Sequence, residues 1–380
     1  MDIYVLGAKR TPIGAFNGAL SSYTAPQLGA KAIAAAVAAA GVEPSSVAEV
    51  VMGNVLSAGI GQAPARQASI AAGLPVSTGA TTVNKVCGSG MKAVMLASQS
   101  LALGDASIAV AGGMEAMSKA PYLLEKARSG YRLGHGRLTD AVIHDGLWDP
   151  YKDVHMGICG ELCAEGEGIG REEQDRFAAA SYERARAAQA SNAFAAEMAP
   201  VDGIAEDEEP KKGDTAKMPR LKPAFKPGGT ITAANASKIN DGAAALVLAA
   251  QAPGGGKVLG RIKGWATFSQ EPEWFTTAPA GAIEKLLARV GWKKEEVDLY
   301  EINEAFAVVA LVVMKRLGLP HGKVNVNGGA VALGHPIGAS GARILVTLLH
   351  ALTQRGLKTG LATLCLGGGN AVALSVQREG

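Results

Sequence analysis

The chain has 380 residues, and 48% of them are hydrophobic, which is enough for one large core or two smaller ones. Its formal net charge of only +3 argues against a role that depends on binding nucleic acid or a membrane surface. Glycine is unusually common, with 49 copies, and much of it lies in turns beside apolar segments, where the backbone approaches another backbone or a ligand closely.

The start of the chain, residues 1–6, predicts a strand and not a secretory or transit segment, and the last four residues match no retention or peroxisomal signal. Apolar stretches near 324–342 and 359–377 are interrupted by glycine, asparagine or proline, so they are poor membrane-spanning helices. Four cysteines in a chain of this size suggest a reducing compartment. We therefore expect a cytoplasmic protein.

The two ends of the chain repeat one pattern at a period of about 250 residues. In both copies a helix ends at glycine, Gly41 or Gly291, and a short polar turn leads to an apolar strand. Gly90 and Gly341 then each precede an apolar helix, and a strand that runs into glycines follows. Alternating strands and helices predict mostly parallel sheets with helix layers, packed as a pseudo-dimer with reactive loops at the carboxyl ends of strands. The alternative is a chance similarity between two α/β segments.

Residues 117–230 break this pattern. They contain a predicted helix over 171–191 and an acidic, then basic stretch at 206–212. We predict an inserted loop domain over the active-site face, with a solvated linker as the alternative for residues 203–210. The predicted parts are an N-terminal half, 1–116, completed by about 231–255; the inserted domain, 117–230; and a C-terminal half, 256–380.

Cys87 lies in Asn-Lys-Val-Cys-Gly-Ser-Gly at residues 84–90, between a predicted strand and a predicted helix. A helix N-terminus favours thiolate over thiol, because its dipole and free N–H groups stabilise negative charge. Gly88 and Gly90 are expected to leave space for an acyl group beside the sulfur. The motif therefore predicts a nucleophile, and the alternative is a buried structural cysteine.

His335 lies in a segment rich in glycine, residues 327–338, which predicts a rigid irregular loop. A histidine there can take the thiol proton and later orient an oxygen, since its ordinary pKa is near neutrality. A capping or core histidine is the alternative, and we favour that role for His321 and His350.

Cys365 ends an apolar strand and enters a run of three glycines, whose N–H groups can form an oxyanion hole. Its thiol could remove a proton from a thioester methyl group held close to it. A packing role is the alternative, and a disulfide with Cys87 is possible if both line one pocket. Asn303 follows a strand of the second half and can donate a hydrogen bond towards an enolate oxygen, directly or through a water, or serve as a turn or N-cap residue.

Cys159 and Cys163 are spaced for one helix face, but no second ligand pair of zinc-site spacing follows them. We expect them to be packing residues and expect no metal site. The chain also lacks a Cys-x-x-Cys pair, which argues against a thiol-redox function.

Further segments, at residues 9–14, 53–56, 62–67, 112–115 and 240–244, match motifs of the thiolase family in order. Over nearly its whole length the chain resembles thiolases, most of all the members specific for acetoacetyl-CoA. The resemblance implies a five-layered α-β-α-β-α core from two duplicated halves, an inserted loop domain, and a homodimer or homotetramer without membrane or nucleic-acid partners.

The resemblance also implies the chemistry. Cys87 would carry the acyl group, His335 would activate it, and Cys365 would move protons to and from the acetyl group. Asn303, through a water, and His335 would form one oxyanion hole, and the N–H groups of Cys87 and Gly367 the other. The implied reaction is the reversible, ping-pong condensation of two acetyl-CoA, with coenzyme A and acetyl-CoA as substrates and products and no further cofactor. A broader 3-ketoacyl-CoA thiolase of fatty-acid β-oxidation is the alternative. A catalytically silent coenzyme A-binding or scaffold protein is another, although such proteins usually lose one of the reactive groups.

The contacts to coenzyme A and the acyl group are implied in the same way. The matching residues are His155, Met156, Lys212, Asp214, Lys217, Phe225, Ala233, Ser237 and Phe306. The lysines suit phosphate groups, and the His-Met-Gly triplet at 155–157 is more similar to short-chain members. Three departures from the family pattern lie near these contacts: residues 159–162, residues 276–279, and Lys238, where a small residue is usual.

Overall fold

A computed structural model of the chain describes residues 3–252 and 258–378. Its strands are β1 (Ile3–Arg10), β2 (Gly14–Ala15), β3 (Glu49–Gly53), β4 (Gly79–Val83), β5 (Ile108–Ala116), β6 (Tyr122–Leu123), β7 (Thr139–Asp140), β8 (Trp148–Asp149), β9 (Val154–His155), β10 (Asn240–Ala249), β11 (Gly260–Ser269), β12 (Leu299–Ile302), β13 (Thr359–Leu366) and β14 (Asn370–Gln377). Its α-helices are α1 (Ala25–Ala40), α2 (Pro64–Ala71), α3 (Ser89–Leu103), α4 (Met156–Glu167), α5 (Arg171–Ala190), α6 (Glu209–Lys212), α7 (Ala278–Val290), α8 (Ala307–Leu317), α9 (Ala330–Leu333) and α10 (Ile337–Gln354). The predicted boundary between residues 255 and 256 lies outside the described residues.

One continuous sheet has the strand order β12-β13-β14-β11-β1-β10-β5-β3-β4, and β2 pairs with β10. The strands of the two halves meet where β1 pairs with β11, with Ile3 opposite Ile262. Helices α1 and α2 pack on the N-terminal half and α7 on the C-terminal half, whereas α3 and α10 contact strands of both halves. The layers therefore run helix, strand, helix, strand, helix, and the predicted five-layered core is confirmed.

The prediction of mostly parallel sheets is wrong. Within the described sheet, β3 is parallel to β4 and β5, and β12 to β13. The other pairs, including β10 with β5 and β14 with β13, are antiparallel. The glycine turn at residues 367–369 is too short for the crossover that a parallel β14 would need, and β10 enters its sheet from the inserted segment.

The duplication predicted from the sequence is visible in the elements. Helix α1 ends at Gly41 and α7 at Gly291, both in the left-handed conformation, with φ of 64° and 72°. Such a C-cap favours glycine because it has no Cβ. Short 3-10 turns then lead to β3 and β12, and α3 with β5 corresponds to α10 with β13.

The segment between β5 and β10 contains α4 and α5, and α5 confirms the helix predicted over 171–191. The acidic end of this segment, residues 203–210, is not a solvated linker, because Asp207 is only 1% exposed. Both oxygens of Asp207 accept hydrogen bonds from Arg10, at 2.7 and 2.9 Å, and Glu197 accepts another at 2.6 Å. Buried charges persist only when paired, so this cluster ties the inserted segment to β1. Within the described chain, no helix is both long and apolar enough to cross a membrane.

Candidate active site

Cys87 lies in a tight turn between β4 and α3. Val86 has φ of 46°, a left-handed conformation that strains a β-branched residue. The Ser89 hydroxyl closes the turn, since it accepts a hydrogen bond from the Lys85 N–H at 2.8 Å and donates one to the Val86 carbonyl at 2.6 Å. The side chain of Cys87 is therefore held immediately before α3, where the sequence predicted it.

The glycines beside Cys87 bring this turn against the second half of the protein. A Cβ on Gly88 would lie 2.3 Å from the Leu366 side chain, and one on Gly90 would lie 2.8 Å from the Ala342 backbone nitrogen. The prediction that these glycines leave room for an acyl group is therefore wrong. They are required because β13 and α10, from the second half, approach the turn so closely.

Cys365 and Gly367 reach the site from β13 and the turn after it. Cys365 is 1% exposed, and burial, followed by the neighbouring Cys87, raises its pKa well above the ordinary value. Burial raises the pKa of Cys87, and the backbone N–H groups of Cys87 itself and of Gly367 oppose this rise. The two donors implied for one oxyanion hole therefore lie near the Cys87 sulfur, and their catalytic role stays a prediction.

Burial raises the pKa of Cys87 to about 12, and the hydrogen bonds from the two N–H groups oppose this rise only in part. The prediction that Cys87 is a thiolate is therefore wrong for the free protein. The helix N-terminus is outweighed because the sulfur is removed from water, and the charge of Glu115 raises the pKa of Cys87 further. At neutral pH the resting group is a thiol.

We expect alkylation of Cys87 in the free protein to be slow at neutral pH and to keep rising to about pH 10, roughly tenfold per pH unit, since only the thiolate reacts. Burial lowers the rate at every pH without changing this slope. Iodoacetamide labelling followed by peptide mass mapping gives the rate at this one site. A rate that levels off near pH ~8.5, as for an ordinary cysteine, would contradict the raised pKa.

His335 follows α9 and is 4% exposed. Its backbone N–H donates to Asn240 Oδ1 at 2.9 Å, which fixes the loop. Its Nδ1 lies 2.5 Å from Ser340 Oγ, and that hydroxyl donates to the Pro336 carbonyl at 2.9 Å. The hydrogen-bond network therefore assigns the ring proton to Nδ1, which donates to Ser340 and leaves a lone pair on Nε2. His335 is thus oriented to accept a proton at Nε2.

Burial lowers the pKa of His335 to about 3, and the charge of Arg343 acts in the same direction. This value is well below the ordinary histidine pKa near neutrality, because the ring lies in the protein interior. The free site therefore contains a neutral thiol and a neutral imidazole. A proton on Nε2 is stable only when an anion forms nearby in the same step.

Asn303 lies directly after β12, with its Nδ2 3.5 Å from His335 Nε2. Arg343 Nη2 lies 3.5 Å from Asn303 Oδ1, so the amide turns its donor towards the imidazole. Arg343 is 1% exposed, and a carboxylate oxygen of Glu301 is 3.9 Å away. The guanidinium therefore places positive charge behind Asn303, which favours negative charge on a substrate oxygen at this point.

Sequence reasoning missed Ser340 and Arg343. Together with Thr347 they are spaced by three and four residues on α10, so they form a buried polar stripe on a mostly apolar helix. That periodicity is visible in the sequence and could have indicated which helix face meets the catalytic loop.

Glu115, near the end of β5, belongs to the segment 112–115, which matches a thiolase motif. Its carboxylate accepts hydrogen bonds from the N–H groups of Val55, Leu56 and Gly338 and from the Asn54 amide, at 2.8 to 3.2 Å. Burial raises its pKa to about 7 despite these donors. It joins the loop after β3 to the first turn of α10, just after the His335 loop.

Four residues predicted to contact coenzyme A or the acyl group lie together. His155 stacks on Phe225 with ring centres 4.8 Å apart, and Phe225 meets Phe306 edge-on at 5.8 Å. The Met156 sulfur is 3.8 Å from the place that a Cβ on Gly367 would take. This apolar group therefore adjoins the turn at Gly367, which lies near Cys87.

The other predicted contacts lie further along the inserted segment. The Ser237 N–H donates to the loop after β12 at 3.0 Å, and Ala233 is exposed. Lys212, Asp214 and Lys217 are exposed around the end of α6, where Asp214 pairs with Lys217 at 3.0 Å. Their contacts with coenzyme A stay predictions.

The four cysteines are free thiols, so the disulfide considered between Cys87 and Cys365 is not formed in this structure. Cys159 and Cys163 are buried in the apolar core around α4. Among residues 3–252 and 258–378, no group of three His, Cys, Asp or Glu side chains is arranged to hold a metal ion.

Known proteins match the chain along its whole length. The family model of the thiolase N-terminal domain matches residues 3–252, and that of the thiolase C-terminal domain matches residues 256–378. The chain belongs to the thiolase family. This thiolase is 54% identical to acetyl-CoA acetyltransferase 2 of Arabidopsis thaliana, over 99% of this chain and 97% of that protein. It is 52% identical to an acetyl-CoA acetyltransferase of Chromobacterium violaceum, over 100% of both chains.

Solved thiolase structures have the same fold. One from Ascaris suum, in complex with coenzyme A, superposes with a TM-score of 0.94 at 43% identity, covering 100% of both chains. An acetyl-CoA acetyltransferase from Syntrophomonas wolfei superposes with a TM-score of 0.96 at 40% identity, covering 100% of this chain and 99% of that one. The predicted family and fold class are confirmed, whereas the predicted domain limits stay predictions.

Proposed function

We propose that this thiolase is an acetyl-CoA C-acetyltransferase, which condenses two acetyl-CoA to acetoacetyl-CoA and coenzyme A through an acetyl group on Cys87. The observation that carries the proposal is that Cys87, presented by a strained turn just before α3, lies beside a second buried thiol, Cys365, and near the backbone N–H group of Gly367. Relatives that match over almost the full chain carry the same name.

In the first half-reaction the Cys87 thiol gives its proton to His335 Nε2, and the sulfur attacks the acetyl carbonyl. The N–H groups of Cys87 and Gly367 stabilise the resulting oxyanion. The carbon–sulfur bond to coenzyme A breaks, and the leaving thiolate takes the proton of Cys365. This leaves acetyl-Cys87, an imidazolium at His335 and a thiolate at Cys365.

In the second half-reaction the Cys365 thiolate removes a methyl proton from a second acetyl-CoA. Because burial raises the pKa of this thiol, its thiolate is a stronger base than an ordinary one. Asn303 and the imidazolium of His335 stabilise the enolate, which attacks the acetyl carbon. Cys87 leaves as thiolate and recovers its proton from His335, so the three groups return to their starting states.

The apolar side chains around the start of α4 support a short acyl chain. Met156 lies beside Gly367, and Phe225 and Phe306 pack on Gly157 and Gly160 of α4, which favours acetoacetyl-CoA over longer substrates. We further propose that His155 and Ser237 contact the pantetheine and that Lys212 and Lys217 face the phosphates.

We also propose a homodimer or homotetramer in the cytoplasm. Strand β4 forms one edge of the sheet and has exposed or half-buried side chains, so its backbone is available for pairing. Tyr122, Leu133 and Leu138 expose apolar side chains in the inserted segment, which favours a further contact between subunits. The free thiols suit a reducing compartment.

Incubation with acetyl-CoA alone is expected to add one acetyl group, on Cys87, as measured by peptide mass mapping. Cleavage of acetoacetyl-CoA by coenzyme A is expected to be faster than cleavage of 3-ketoacyl-CoA with longer chains. An unmodified Cys87 would reject the acetyl-enzyme, whereas a preference for long chains would favour the broader 3-ketoacyl-CoA thiolase.

A further inference from the structure

Lys238 lies in the loop before β10, and its side chain turns inwards. Its Nζ donates to the carbonyl oxygens of Ala236, at 2.9 Å, and Val331, at 2.8 Å. It also lies 5.2 Å from the centre of the Tyr182 ring, within range of a cation–π interaction. One ammonium group therefore joins the loop before β10, helix α9 and helix α5.

Each of these carbonyls belongs to a segment that leads into the active site. Ala236 pairs with Phe306 in an isolated β-bridge and directly precedes Ser237, so it holds the proposed coenzyme A loop against the loop after β12. Val331 lies in α9, whose C-terminus leads through Gly334 into His335. The ammonium group thus lies behind the elements that carry the pantetheine contact and the catalytic imidazole.

Nearby carboxylates compensate the positive charge of the Lys238 ammonium group. Burial lowers the pKa of Lys238 to about 8, while the carboxylates of Glu209 and Glu304 act in the opposite direction. The side chain therefore still carries its proton at neutral pH. Removing the Lys238 side chain would leave the carbonyls of Ala236 and Val331 without this donor, which is unfavourable away from water.

We propose that Lys238 is a positioning residue of this thiolase, whose ammonium group fixes the coenzyme A loop against the segment that carries His335. The inference rests on the proposed function, because it takes Ser237 and His335 as the substrate contact and the catalytic base. It predicts effects on both steps: a loosened Ser237 loop raises KM, and a shifted His335 lowers kcat.

The test compares K238A with K238M, because both remove the charge but only alanine leaves an empty space. We expect each to lower kcat/KM for acetoacetyl-CoA about tenfold, with contributions from KM and kcat, as for loss of hydrogen bonds from a charged donor. Ammonium chloride should restore activity to K238A, because a free ammonium ion can enter the vacated space and donate to the same carbonyls. Sodium chloride at equal ionic strength should not, and neither salt should restore K238M, in which the methionine side chain fills the site.

Thermal unfolding of both variants, with and without each salt, separates loss of fold from loss of alignment. Wild-type kinetics in K238A, or an equal loss in both variants that ammonium does not change, would overturn the proposal for Lys238 alone. A wild-type protein that neither acetylates Cys87 nor cleaves acetoacetyl-CoA would reject the proposed function and this inference with it.

Discussion

Replacement of Cys87 by alanine will abolish both directions of the reaction, with kcat lower by at least about three orders of magnitude. The site is built around this sulfur: the strained turn at Val86 presents it, and the backbone N–H groups of Cys87 and Gly367 lie near it. No other nucleophile shares those donors in the described structure. The measurement is acetoacetyl-CoA cleavage, together with the mass of the peptide that contains residue 87 after exposure to acetyl-CoA.

The matched control is Cys159→Ala, which removes another buried thiol, in α4, without touching the proposed reacting groups. It should keep most of its activity and show only the modest loss of stability that accompanies a small cavity. Substantial turnover by the Cys87→Ala protein, or acetylation of a different residue at the wild-type rate, would show that the nucleophile has been misassigned.

Replacement of Cys365 by alanine will separate the two half-reactions. Exchange of labelled coenzyme A into acetyl-CoA reports acetylation of Cys87 and should continue at a reduced rate, since a coenzyme A thiolate can leave without being protonated. Condensation should fall by about 10³-fold, because the methyl proton then has no base within reach.

Cys365→Ser keeps nearly the same shape and distinguishes chemistry from packing. A serine hydroxyl is far too weak an acid to supply an anionic base, so this variant should be as defective in condensation as the alanine variant. If the serine protein condenses acetyl-CoA at close to the wild-type rate, Cys365 is only a packing residue. Equal losses in exchange and condensation would instead indicate that the main role of Cys365 is to protonate the leaving coenzyme A, and not to remove the methyl proton.

The duplicated architecture was predictable because its signals are local. Gly41 and Gly291 end helices through positive φ angles, and polar turns of similar length follow both. Strand direction was not predictable in the same way. The places of β10 and β14 in the sheet depend on which distant strands they meet, and a count of strands and helices does not contain that information.

The same division holds for the site. The catalytic candidates lie at the ends of elements or in glycine-rich loops, and such positions can be predicted from a sequence. They are Cys87, Asn303, His335 and Cys365. Their proton affinities cannot be predicted in this way, because burial is a property of the assembled core: it raises the pKa of Cys87 and lowers that of His335. Gly88 and Gly90 were misinterpreted for a related reason, since the neighbours that exclude a side chain there come from the other half of the chain.

The pairing of β1 has a consequence for how the polypeptide acquires its structure during translation. Tyr4 lies opposite both Ala249 and Arg261, so both partners of this strand are made long after it. At about 5–20 residues per second, β1 waits more than ten seconds for them as the chain grows. The side chains of Val5 and Leu6 are apolar and are buried in the folded protein. The nascent chain therefore exposes an unpaired, apolar strand throughout that interval. The sheet of the N-terminal half therefore cannot be completed until β10 has been made.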